Sequence, residues 1–232
     1  MKRKKDSKKI KPYITYLLIS IIVLISGILF FYAKGDGKIY IELLYNNYAL
    51  VNSKVKNGEF WRIVSAIFIH FDLKHLGYNS IALYNLAIPL SEERRGNFKV
   101  LVIFLISGIV GNLITFAFGI EFSAGASGAV FGLLGVFSSE IIQGTISKKK
   151  EIRKRSKYMW IIAILFPVVM IIPGFIVDNI NNTAHISGLL TGFLANFIFD
   201  NDDYKHKRLL SYSCTLFLII ISVLSFFIGY YR

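Results

Sequence analysis

The stretch Phe122–Ser139, FSAGASGAVFGLLGVFSS, decides how the rest of the chain is read. It is free of charge and just long enough for a helix to cross a hydrocarbon core of about 30 Å, yet it is rich in glycine and polar near its start. Gly128 and Gly132 stand four apart in it, as Gly188 and Gly192 do in a later run. Small residues at that spacing let helix backbones approach closely in lipid. If the two faces meet, Ser127 and His185 share one end of the contact. Glycine-mediated packing without chemistry would look the same at this point.

The wider composition agrees with a membrane solvent. Of 232 residues, 54% are hydrophobic and 18% charged, with a mean hydropathy of +0.55, well above an ordinary soluble domain. Seven charge-poor runs predict seven helices: Tyr13–Ala33, Leu76–Ser91, Val100–Ile120, Phe122–Ser139, Tyr158–Val177, Asn179–Phe199 and Leu209–Tyr231. The expected fold is all-α, a polytopic membrane helical bundle. Its parts are a basic tail (1–12), a six-helix core (13–200) with a long first loop (about 34–72), a short loop (201–208) and an additional C-terminal transmembrane helix (209–232). The first helix is too long for a secretory h-region and has no small-residue cleavage site, so it is expected to be retained.

The net charge of +13 would suggest a polyanion partner in a soluble protein. Here the Lys and Arg residues alternate between sides. The tail (Lys2 to Lys11), the second-to-third loop (Arg94, Arg95, Lys99), the fourth-to-fifth loop (Lys148 to Lys157) and the sixth-to-seventh loop (Lys205, Lys207, Arg208) fall on one side, predicted to be cytoplasmic. The charge is topological, and no nucleic-acid partner is expected. The expected setting is the plasma membrane. In the first loop, Phe60, Trp61, Ile63, Phe68, Ile69 and Phe71 suit the membrane interface.

Polar groups inside spans cost up to a few kcal/mol each on insertion scales, which makes them functional candidates. Ser127, His185, His75 and Asn79 all fall toward the outer face, and His75 and Asn79 lie on one helical face, four residues apart. Ser107, Ser138 and Ser187 are expected to hydrogen-bond to their own helix carbonyls. No His-Glu-x-x-His zinc motif is present, and neither a metal nor a cofactor is implied. Cys214 reads as a small apolar packing residue.

These residues resemble the rhomboid family of intramembrane serine proteases. The matching motifs are Trp61-Arg62; His70, His75 and Asn79 in Phe68–Asn79; Glu92–Gly96; Gly125-Ala126-Ser127-Gly128 with Gly132 and Gly135; and Ala184-His185 with Gly188 and Gly192. Ser187 and Ala126 depart modestly from the family pattern without removing a reactive group. The resemblance implies a dyad with Ser127 as nucleophile and His185 as general base, without a third acid. His75, Asn79 and the Ser127 backbone N–H, with that of Ala126 as a further candidate, would form the oxyanion hole, and Gly125 would let the chain approach substrate closely. It also implies transmembrane proteins as substrates. The alternative is a catalytically silent relative that binds membrane proteins as a chaperone does. A channel is disfavoured because the polar set clusters toward one face. Asp178 is assigned a helix-end or loop role, and Asn181-Asn182-Thr183, formally a glycosylation acceptor, no role.

Overall fold

The computed structural model describes residues 11–90, 96–145, 150–177, 180–199 and 205–232. The basic tail up to Lys9, the Glu92–Arg95 part of one motif, Lys148, Lys149, Asp178, Asn179 and residues 200–204 lie outside the described residues. The long helices are α1 (Tyr13–Tyr32), α5 (Leu73–Pro89), α6 (Asn97–Ala117), α7 (Ser127–Thr145), α8 (Lys150–Ile171), α9 (Asn182–Ile198) and α10 (Lys205–Tyr231). The first loop carries α2 (Gly37–Asn47), α3 (Asn52–Lys56), α4 (Arg62–Ser65) and a 3-10 turn (Ala66–Phe68). The architecture is a helical membrane bundle, with helices along all seven expected runs.

Among the described residues, three helical segments are long and apolar enough to cross a bilayer unaided: Tyr13–Tyr32, Asn97–Ala117 and Arg208–Tyr231. The others are shorter or less apolar, and in α7 and α9 the small residues Gly128, Gly132, Gly188 and Gly192 face the neighbouring helix. Since lipid tails are as apolar as leucine, close packing and interhelical hydrogen bonds drive association. α6 is the central post, with Val100, Ile103, Phe104, Gly108, Gly111 and Phe116 buried. α7 and α9 meet backbone to backbone: a Cβ added at Gly188 would fall on the Gly128 carbonyl, and one at Gly192 on the Gly132 carbonyl. Asn196 reinforces the inner part of this seam by donating to Ser139 Oγ at 3.0 Å.

The fourth helix begins five residues later than the charge-free run suggests. Leu50–Val51 (β1) and Phe122–Ser123 (β2) pair antiparallel, Leu50 opposite Ser123 and Val51 opposite Phe122, so this short segment of an otherwise helical bundle is extended. Gly125, at φ +131°, then turns the chain into α7, and its N–H donates to the Ala66 carbonyl at 2.8 Å. Only glycine populates such a φ readily.

The first loop is more deeply built in than an interfacial segment. Phe60 and Trp61 are exposed, but Ile63, Ile67 and Ile69 are buried. Arg62, of the Trp61-Arg62 motif, is fully buried. It pairs with Glu59 at 2.6 Å and donates to the carbonyls of Tyr45, Ala49 and Asn46. A buried guanidinium needs its donors satisfied, and here their partners gather the loop around one side chain. Asn112 on α6 donates to the Ile63 carbonyl at 2.8 Å, anchoring the loop to the bundle.

Candidate active site

Ser127 is the first residue of α7 and half-buried. At a helix start the backbone N–H groups lack intrahelical partners and the helix dipole favours negative charge. His185 is in the first turn of α9, where the Asn181 carboxamide caps the helix by accepting from the Ala184 N–H at 3.0 Å. The His185 ring is buried and stacks on Phe131 of α7, with centroids 4.3 Å apart and planes at 13°. Ser127 Oγ lies 2.9 Å from His185 Nε2, within reach for hydroxyl-to-imidazole donation. Nδ1 of the same ring is buried without a hydrogen-bond partner.

α5 supplies the next polar groups. Its Asp72 cap accepts from the His75 N–H at 2.8 Å, fixing the first turn. The His75 ring lies against Gly125, where an added Cβ would come within 2.6 Å of Cε1, and it stacks on Phe71. The structure thus brings His75 to the serine loop. Asn79 is buried, but its Nδ2 donates to the His75 carbonyl at 3.0 Å, so the amide is turned onto its own helix. The Ala126 N–H points to His70 Nε2 at 3.4 Å, so this further oxyanion candidate is engaged by a side chain. Trp61 stands on the exposed surface of the loop, away from these contacts. Gly128 packs on Ala184, with the position of an added Cβ 3.2 Å from that carbonyl oxygen.

Two serine expectations need correction. Ser187 does donate to the Thr183 carbonyl of its own helix, but the Ser107 and Ser138 hydroxyls have no hydrogen-bond partner. Ser107 instead fills the space beside Gly132, where an added Cβ would strike its hydroxyl. Asn181, assigned no role from the sequence, links three elements: it caps α9, and its Nδ2 donates to Thr115 on α6 and Ser123 on β2 at 3.0 and 2.9 Å. Its position three residues before the capped N–H was the available signal. Phe131, four residues after Ser127 and on the same helical face, was legible by the same arithmetic.

His70 is fully buried between α2 and the serine loop, with its carbonyl accepting from the Tyr40 hydroxyl at 2.8 Å. Burial, with nearby His75 adding to the effect, holds this imidazole down to about 3. The folded protein therefore lacks a proton that the unfolded chain binds below about pH 6.5. Stability from this group is complete above that value and is lost as pH falls toward 3, by up to about 1.4 kcal/mol per pH unit. We expect the melting temperature in detergent to fall between pH 7 and pH 5, and His70→Gln to flatten that fall. An equally steep fall in the variant would remove His70 as its source.

These features define an integral membrane protein with a serine–histidine pair at one end of a helical bundle. Residues 57–201, more than half of the chain, match the Rhomboid domain, and the chain belongs to the rhomboid family. It is 34% identical over 185 residues to Rhomboid protease GluP of Bacillus subtilis (strain 168), covering 80% of this chain and 34% of that protein. It is 36% identical over 149 residues to Putative rhomboid protease YdcA of the same organism, covering 63% and 71%. RHOMBOID-like protein 5 of Arabidopsis thaliana is 36% identical over 154 residues, covering 65% and 47%. The chain therefore spans about a third of GluP and under half of RHOMBOID-like protein 5.

Proposed function

We propose that this protein is an intramembrane serine endopeptidase that hydrolyses peptide bonds in or near transmembrane segments of membrane proteins. The observation that carries the proposal is the 2.9 Å approach of Ser127 Oγ to His185 Nε2, in a member of a family whose relatives include named proteases. His185 takes the hydroxyl proton as Ser127 attacks the scissile carbonyl, then returns it to the leaving amine as the C–N bond breaks. Water, activated by the same imidazole, cleaves the acyl ester and regenerates Ser127. The Ser127 backbone N–H and His75 stabilise the developing oxyanion, and Asn79 joins them once its amide turns from the His75 carbonyl. Each such donor is worth roughly 3–4 kcal/mol by analogy with other hydrolases.

α5 and α8 each pack on α7 and do not pack closely on each other, and we infer that a spanning helix approaches from the side between them. Peptide bonds in a helix are shielded, so small or helix-breaking residues that allow local unwinding are the preferred target. The orientation we favour has the N-terminus in the cytoplasm and the dyad toward the outer face of the plasma membrane, where water reaches it. Residues 13–200 act as the catalytic core, and the segment from 209 as an added helix. These steps call for no cofactor.

The test is cleavage of a model single-span protein in liposomes, with metal chelator present and fragments read by mass spectrometry. Chelator-insensitive cleavage in or near the span is expected. Absence of cleavage across a substrate panel, with the folded protein still binding a spanning helix, would favour the binder reading.

A further inference from the structure

Away from Ser127 and His185, a cavity of about 300 Å³ lies between α3, the turn after α6 and the last turn of α10. Lys56, Arg232 and Glu121 all line it, and neither cation is ion-paired to that carboxylate. Two of the three charges are held from elsewhere. Glu121 Oε1 accepts from the Ser53 hydroxyl at 2.8 Å, which fixes the carboxylate through one oxygen. The Arg232 guanidinium donates to the Ala117 carbonyl at 3.3 Å. It also lies over Gly119, where an added Cβ would come within 3.0 Å of Nη1. The cavity therefore presents two cations and, apart from them, a carboxylate.

Its depth is marked by aromatic residues. Phe118, next to Gly119 in the chain, and Tyr231, next to Arg232, are exposed, and aromatic residues are typical of a membrane–water interface, where lipid phosphates and amines reside. We propose that this cavity binds a zwitterionic phosphate-amine lipid headgroup of the phosphoethanolamine kind, with the phosphate on Lys56 and Arg232 and the ammonium on the Glu121 carboxylate. A choline headgroup has no N–H to offer this carboxylate. A purely anionic headgroup leaves Glu121 facing a like charge. The site is independent of proteolysis and needs no activity to be tested.

The experiment is native mass spectrometry of the full chain released from nanodiscs of equimolar phosphatidylethanolamine, phosphatidylcholine and phosphatidylglycerol with matched acyl chains. Wild type should retain the ethanolamine lipid over the choline lipid by roughly two- to fivefold, the range that one exposed ion pair supplies. Glu121→Gln should erase that preference while keeping phosphatidylglycerol retention. Lys56→Gln combined with Arg232→Gln should weaken retention of all three. Equal retention of the ethanolamine and choline lipids by wild type overturns the proposal, as does a preference that survives Glu121→Gln. As a second arm, soluble glycerophosphoethanolamine is added in detergent: stabilisation matching that by the intact lipid would overturn the assignment to lipid.

Discussion

Ser127→Ala should reduce cleavage of a spanning substrate by about 10⁴-fold or more, with melting temperature and detergent behaviour unchanged. The hydroxyl is half-buried and 2.9 Å from its base, so removing it leaves helix α7 intact while removing the nucleophile. His185→Ala should cost a similar factor. The double variant should be no slower than either single one, because residues that act as one unit lose their contribution together. Initial rates in liposomes, measured for the two single variants and the double, test this. Multiplicative losses would mean that the two residues act in separate steps, and cleavage surviving Ser127→Ala would assign the nucleophile elsewhere.

The largest effect on stability is expected from Gly192→Val. Even a methyl group there would overlap the Gly132 carbonyl, and backbone cannot move aside as a side-chain tip can. Overpacking costs typically about 1–3 kcal/mol and sometimes more; a β-branched residue against a neighbouring backbone belongs at the upper end. We expect Gly192→Val to yield little folded protein, and Gly192→Ala to melt well below wild type. Gly27→Ala on α1, which would meet nothing within 4 Å, is the control and should be neutral or slightly stabilising. Thermal melting in detergent separates these outcomes; a normal melting curve for Gly192→Val would mean that the seam is looser than described. Because this seam carries both members of the proposed dyad, Gly192→Ala should also slow cleavage in whatever fraction folds.

Much of the bundle was legible because long apolar runs in lipid have few alternatives to helix. The glycine spacing of Gly128 and Gly132 against Gly188 and Gly192 identified the two helices that meet, since four-residue spacing fixes a face without knowledge of the partner. What stayed hidden was long-range and polar. Arg62 reads as a surface cation until the carbonyls of Tyr45, Asn46 and Ala49 are seen around it, and those contacts depend on how the loop folds back. Helix α7 starts late because β2 pairs with a strand far away in sequence, a partner that local hydropathy does not register. The turned amide of Asn79 was equally invisible: helical spacing shows which face a residue occupies, whereas the choice between a neighbour and its own backbone is made by the rotamer. The expectation for Ser107 failed for a related reason, because the space left by Gly132 on the next helix holds its hydroxyl.

Helix α8 differs from its neighbours in what holds it. From Trp160 to Met170 most of its large apolar side chains are exposed, its buried residues include Ala163 and Pro167, and Pro167 removes one internal hydrogen bond from its middle. Its angle should therefore respond to the surrounding acyl chains as well as to its packing on α7. A thicker or thinner bilayer changes the preferred tilt of such a helix at a cost of only fractions of a kcal/mol per Å of mismatch. Membrane thickness is therefore expected to shift the angle of α8, and with it the side of α7 on which α8 packs.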